Sequence, residues 1–516
     1  MKKLAISQIS DKTIRIEDFV NKTKNVYAAE FIAQGNELKG TVKICDTTES
    51  TVYLALYTEI EVNGSSPANV QDAVNKLNSF IGNFSSGGST SGEDGSEDDD
   101  VYVRPSDRPT KPAFAPDEQA IYWLFGVQEH GLNDYCFQLT ESSGNYKVDW
   151  GDGTIETVAS NTVTEHKYDF STLNVPVGSE GYKWVWIKAM PSAGNITALN
   201  FTGNNCSWRP ALNTEIKFLT QVFEIYLQSK YVTSMYFPDN YSRKFHFMCE
   251  IFEFYGENNM TAGCTDFLFD FYSLRRLKID TIKWKNFFGF LRGCCSFNQS
   301  LDNLDTSNGT NFDDFLHAAS SFNRRLNIDT GNALTLRHFL ANCRAYNKPL
   351  ILNTSKCYNF DDFMSGCSLF NNELKIDLVS ATTMNYFLYQ CYVFNQDLNL
   401  NTSKVTTFIN CLYRTYSLNK KVELDLSSAT DIRGLFQYNW SMTNVRLKNI
   451  SVAVSQLDFA ASAMDANAVM DLLPDLPDRT GIAAGTLNLI GTPASLQLTP
   501  VQIALFTARN WNIKTA

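Results

Sequence analysis

The sequence predicts a multidomain, mainly β protein: an N-terminal α+β unit, a β-sandwich, and a solenoid of α/β repeats closed by a C-terminal cap. Three observations carry this. From Phe297 onward an apolar-Asn pair recurs at Phe297-Asn298, Phe322-Asn323, Tyr346-Asn347, Phe370-Asn371, Phe394-Asn395 and Leu418-Asn419, spaced 25, 24, 24, 24 and 24 residues apart, which is the mark of a repeat array. A tract rich in Ser, Gly, acids and Pro separates the first 84 residues from the rest. Between tract and repeats, alternating apolar residues flank a Gly-rich turn, as in a β-hairpin. A chain of 516 residues exceeds what one core organises. With 44% hydrophobic and 19% charged residues it is globular, and a net charge of −11 without basic clusters excludes a nucleic-acid partner.

Residues 1–84 form the first unit. Glu37–Ile44 and Thr51–Tyr57 read as strands, and Ser66-Pro67 opens a helix. Along that helix Val70, Val74, Leu77 and Ile81 follow a four-three-four spacing, a short heptad seam that makes them candidates for joining two or three copies. The same seam can instead pack on the strands of its own chain. The start of the chain has two lysines, but Ser7, Gln8 and Ser10–Lys12 break its apolar run, so it lacks the core of a secretion signal. No stretch approaches the roughly 20 apolar residues of a membrane span. The chain is expected to be made, and kept, in a cytoplasm, with no membrane insertion.

Residues 85–117 read as a linker: Gly/Ser for flexibility, the acids of 93–100 for self-repulsion, then prolines at 105, 109, 112 and 116 for stiffness. The acids lack the ligand spacing of a calcium loop.

Residues 118–192 contain Asp149-Trp-Gly-Asp-Gly-Thr154, then His166-Lys-Tyr168, then the alternating Tyr182–Ile187. Here the chain resembles the PKD family of immunoglobulin-like β-sandwiches. The resemblance implies a sandwich anchored by Trp150, a tight turn at Asp152-Gly153, a structural role for His166, and a spacer or binding module without chemistry.

The repeats extend over 193–450, with irregular early units before 290. Ten and seven residues before each pair stand apolar residues such as Phe360 and Phe363, a spacing of three that puts both on one face of a short helical turn. Four and six residues after it stand Leu350 and Leu352, Leu374 and Ile376, Leu398 and Leu400, a strand with one face to the core. Each unit buries its apolar face only by stacking on its neighbours. Cys294, Ala319, Cys343, Cys367 and Cys391 share one phase, which therefore wants a small buried side chain. One cysteine per repeat is not the paired spacing of a zinc site, so no metal or cofactor is expected. The recurrent Asn can bond the backbone of the next turn and form a ladder. Segments such as Phe363–Cys367, Phe370–Leu374 and Asn401-Thr-Ser403 resemble the BspA-like leucine-rich repeats of gut bacteria and their phages. Residues 451–516 resemble the module that caps such arrays.

The segment from Phe31 through Tyr57 to Asn69–Phe80 resembles head-fibre or appendage proteins of phages of Bacteroidales, including crAss-like phages. That resemblance implies a structural virion protein, docked on a capsid or tail protein through residues 1–84. Its repeat arm would reach a host-surface or mucus glycan or protein. The outward strand residues Asn327, Ile351, Lys375, Asn399 and Glu423 are chemically varied on a rigid scaffold and are the candidate ligand contacts. A bacterial cell-surface adhesin is the alternative class and requires an export route. A glycan depolymerase is the third, since paired carboxylates can hydrolyse a glycosidic bond. Asp313-Asp314 and Asp361-Asp362, however, stand just before a helical Phe, where capping accounts for them. No enzyme activity is expected.

Overall fold

The computed structural model describes residues 102–129, 133–142, 144–200, 221–236, 249–256 and 259–515, and the backbone of seven strands between residues 4 and 62. Two compact units divide the chain, 1–99 and 100–516. In the first, β1 (Leu4–Ser10), β2 (Thr13–Asp18), β3 (Lys24–Val26) and β7 (Ile60–Val62) form a sheet in the order β3-β2-β1-β7. A second sheet joins β4 (Ala28–Gln34), β5 (Glu37–Lys43) and β6 (Glu49–Leu54). The two strands expected from the sequence are β5 and β6. Val70, Val74, Leu77 and Ile81 lie outside the described residues.

The second unit begins with two sheets packed face to face. One holds β8 (Ala120–Val127), β10 (Asn145–Asp149), β11 (Ile155–Ala159), β13 (Lys183–Pro191), β15 (Val222–Gln228), β17 (Ile251–Tyr255) and β18 (Arg276–Lys278), in the order β11-β10-β13-β8-β15-β17-β18. The other holds β9 (Asp134–Glu141), β12 (Val163–Lys167), β14 (Ile196–Asn200) and β16 (Ser234–Tyr236), in the order β12-β9-β14-β16. Trp123 of β8 meets Phe137 of β9 at 4.4 Å between ring centroids. Trp150 is fully buried and accepts a 2.7 Å bond on its carbonyl from the Tyr168 hydroxyl. His166 stacks on Trp150 and bonds Asp152 at 2.7 Å, the structural role expected of it. Gly151 is obligatory between them: its φ is +78°, and a Cβ there would stand 2.4 Å from the Trp186 carbonyl.

The larger sheet changes character at β15. It pairs antiparallel with β8 but parallel with β17, which pairs parallel with β18. The solenoid therefore grows directly from the edge of the first sheet. Its later rungs are short: β19 (Leu350–Ile351), β20 (Leu374–Lys375), β21 (Leu398–Asn399), β22 (Val422–Asp425) and β23 (Arg446–Lys448). A second line of parallel bridges runs Asn286, Asn311, Thr335, Asn359, Thr383, Thr407, Asp431. In phase with it come β24 (Gln456–Asp458), β25 (Gly485–Asn488) and β26 (Trp511–Lys514), covered by the short helices α1 (Ala466–Met470), α2 (Ala494–Gln497) and α3 (Pro500–Thr507). One continuous cluster of buried side chains runs from Ile121 to Trp511.

The fold is mainly β with few helices, and among the described residues the short helical turn expected of each repeat does not form. In its place stand consecutive tight turns with left-handed residues four apart: Asp314 and Ala318, His338 and Asn342, Asp362 and Gly366, Tyr386 and Gln390, Asn410 and Arg414. A residue at positive φ ends an α-helix, so these turns cannot become one. Their alternate amides all donate to the following turn. From residues 314, 316 and 318 through 410, 412 and 414, each bonds a carbonyl 23 residues on, at 2.6–3.0 Å. Asp313 and Asp361 accordingly do not cap helices: each accepts the backbone amide 24 residues on, from Arg337 and Asn385, at 2.8 Å, together with a threonine hydroxyl of that turn.

Side-chain ladders fill the interior. Phe290, Phe315, Phe339, Phe363 and Phe387 stack at 5.1–5.6 Å. Asn298, Asn323, Asn347, Asn371 and Asn395 each accept the next pair's Asn amide at 2.8–2.9 Å, the ladder that the recurrence predicts. Cys343 and Cys367 donate to carbonyls 27 residues back at 3.0 Å, and Ala319 fills the equivalent place.

The proline-bearing part of the expected linker is not a free tether. From Tyr102 it crosses the larger sheet and places cations on carboxylates that the sheet buries. Arg108 binds Glu180 at 2.8 Å, Glu250 at 3.0 Å and Glu224 at 3.3 Å. Arg104 binds Glu224 at 2.8 Å and Lys111 binds Glu253 at 2.6 Å. Burial raises the Glu253 carboxyl, but the bonds from Lys111 and Tyr255 and the charges of Lys111 and Arg276 together outweigh it and hold the carboxyl below the usual range.

Two outcomes follow from this packing. Arg108→Ala leaves Glu224 buried beside one cation fewer and should cost about 3–5 kcal/mol, read as a lower denaturation midpoint. Burial pushes the thiols of Cys294, Cys343, Cys367, Cys391 and Cys411 upward; a disulfide reagent should leave them silent in native buffer and titrate them in guanidinium.

Candidate functional site

The two-residue period of each rung decides which side chains leave the core. Leu350, Leu374 and Leu398 are buried, so their neighbours Ile351, Lys375 and Asn399 face outward. The structure brings these three predicted contacts together in one open groove of about 650 Å³, with Glu373, Asp377, Asp397 and Lys420 around them. Ile351 is 57% exposed, an apolar surface among polar groups. Lys375 is exposed and, among the described residues, pairs only with Glu373, at 2.7 Å. Asn327 is exposed two rungs earlier and donates to Asp302 at 2.9 Å, outside the groove. Glu423 departs from the others. It is half-buried and held between Lys421, at 3.2 Å, and Lys448, so it braces neighbouring rungs.

The turn side of the same repeats carries a stripe of aromatic side chains that the sequence reading missed. Tyr392, Tyr416 and Trp440 stack in register, with centroids 5.0 and 4.1 Å apart. Tyr389 stacks on Tyr413 at 5.2 Å, and Tyr413 meets Tyr438 edge-on at 5.4 Å. The tyrosines are half-buried and Trp440 is 56% exposed, so ring surface stays open to solvent. Burial pushes the hydroxyls of Tyr389 and Tyr392 upward, keeping them as donors at neutral pH. Arg414 lies over Tyr413 and Tyr438 at 5.3 and 5.6 Å, and its guanidinium forms no ion pair among the described residues. Phase was the available signal: 392, 416 and 440 are 24 apart.

A third cluster lies on the left-handed corner of earlier turns. Asp314 bonds His317 at 2.6 Å and His338 at 3.3 Å, and His338 reaches Asp362 at 3.3 Å. Bonds to Asp314 and Asp362 push the His338 imidazole up to about 9.

Residues 259–376 and 351–452 match the model of a family described as a Mycoplasma protein of unknown function, DUF285. The two matches overlap, as those to a repeat do, and together span residues 259–452 of the solenoid. No curated protein and no solved structure matches the chain. Among the described residues no helix is long and apolar enough to cross a membrane.

If the groove positions are free of structural duty, Lys375→Ala should leave the unfolding free energy within about 0.5 kcal/mol of the parent. Glu423→Ala, which releases two lysines, should cost about 0.5–1 kcal/mol. Paired thermal melts check both.

Proposed function

We propose that this chain is a structural virion protein of a phage, a head fibre or similar appendage. Residues 1–84 form its base, and its repeat arm binds an acidic glycan of the host surface. The observation that carries the arm's role is the stripe Tyr392, Tyr416, Trp440 with Arg414. Exposed aromatic faces offer apolar platforms to the C–H faces of sugar rings. A guanidinium that forms no ion pair among the described residues suits a carboxylate with which it can form two parallel bonds. Over residues 404–448 seven Lys and Arg side chains stand against three acids on a chain of net charge −11, and this local excess favours an acidic sugar over a neutral one. The groove at Ile351, Lys375 and Asn399 lies on the same repeats and supplies a second polar contact surface.

The virion assignment is supported by the sequence: the resemblance of the repeats, of the PKD-like region and of the first unit. The separate compactness of residues 1–99 suits a base that docks independently of the arm. Binding needs no catalytic group, and the rigid ladders favour a preformed surface over one that must order on contact.

Two measurements test this. Full-length protein titrated with a sialylated or uronate oligosaccharide should bind, and Arg414→Ala or Trp440→Ala should each lose about 2 kcal/mol, roughly 30-fold; unchanged affinity in both variants contradicts the arm's role. Mass spectrometry of purified particles should find the chain, and deletion of residues 1–84 should abolish incorporation; particles that retain the truncated protein contradict the base.

A further inference from the structure

Two of the chain's five histidines converge on one carboxylate. The Nδ1 of His317 lies 2.6 Å from Asp314 Oδ1, and the Nδ1 of His338 lies 3.3 Å from the same oxygen. One donor atom from each of the three residues lies within 4.8 Å of the others. We infer that Asp314, His317 and His338 bind a divalent transition-metal ion of the zinc class, which ties neighbouring solenoid turns together.

Ligand chemistry comes first. Two imidazoles and a carboxylate form a borderline-soft set that suits zinc and its neighbours better than calcium or magnesium. Spacing agrees: 3.3 Å is about the edge of a tetrahedron with bonds of 2.0–2.1 Å, and the shorter contact opens by about 0.7 Å on side-chain rotation. The surroundings of the rings argue further. A metal-bound imidazole directs its other nitrogen to an acceptor, which fixes the ring and raises its basicity. The Nε2 of His338 lies 3.3 Å from Asp362 Oδ2, and that of His317 lies 3.3 Å from the Asn342 side-chain amide, whose oxygen can take the same place after an amide flip.

Charge and access are compatible. Arg292 stands 3.6 Å from the second oxygen of Asp314, leaving Oδ1 for the ion. The three side chains are 11%, 27% and 23% exposed, so an ion can enter and a water can complete the shell. Protons compete for the same nitrogens, so binding strengthens as pH rises. The ligands come from two successive turns and the supporting Asp362 from a third, which accounts for the missing close-spaced motif in the sequence. The ligands come from turns that precede those of Tyr389 and Tyr392, and metal binding does not depend on a glycan there.

The test is titration of the chelator-stripped full chain with Zn²⁺ by calorimetry, with Co²⁺ as a spectroscopic probe. One saturable ion is expected, with a tetrahedral-type visible spectrum for Co²⁺. His317→Ala and His338→Ala should abolish saturable binding, and Asp362→Asn should weaken it about 10–100-fold, with far-ultraviolet dichroism of the metal-free variants unchanged. The Co²⁺ spectrum of the unaltered protein needs no substitution and keeps the test decisive if a variant misfolds. A Co²⁺ spectrum no different from buffer, or a His317→Gln/His338→Gln double variant that binds Zn²⁺ like the parent, overturns the proposal.

Discussion

Every turn of this solenoid leaves a row of amides and carbonyls that only another turn can satisfy. In the segments that begin at Asp314, His338, Asp362, Tyr386 and Asn410, alternate amides all point toward the carboxyl end of the stack. A buried polar group without a partner costs about 1–3 kcal/mol, so no turn is stable as the last one. The same holds for the side chains. A phenylalanine has ring faces above and below it, and each face is buried only if a ring in the same phase stands there. Hydrogen bonding and the hydrophobic effect therefore impose one condition: identical phase, turn after turn, closed at both ends.

The closures are built differently because the ends differ. At the start, β15 joins the edge of a preformed sheet, so the first rung inherits a partner and the two facing sheets share their core with the array. Alignment there is reinforced by the segment from Tyr102, whose Arg104, Arg108 and Lys111 neutralise carboxylates on the outer face of that sheet. At the other end β24, β25 and β26 form a regular parallel sheet, and α3 covers them with Phe506 fully buried. Thr499 and Gln502 close the start of that helix with a reciprocal capping box.

Phase is what a sequence displays most directly, and the ladders of Phe, Asn, Leu and Cys were legible because stacking demands like residues at like positions. The conformation between them was not. Residues three apart share a face in a helix, and they also share one in a run of tight turns; the left-handed residues that distinguish the two are here Asp, His, Asn and Tyr as well as Gly. The docked proline segment was illegible for another reason. Its cations read as solvated until the fold brings Glu224, Glu250 and Glu253 beneath them from more than a hundred residues away. The two-residue period alone put Ile351, Lys375 and Asn399 on the outward side of their rungs. Tyr392, Tyr416 and Trp440 share a phase too, but aromatic residues in a repeat are first read as core.

The shared core and ladders predict that the described residues between 102 and 515 open as one cooperative stack built on the first sheet. Hydrogen exchange of the intact chain tests it directly, with amides of β8 and β15 compared against those of Leu340, Met364 and Leu388. These groups should exchange together, through one opening reaction that merges sheet and solenoid. Rungs that exchange fully while β8 and β15 stay protected would show two independent bodies and contradict it.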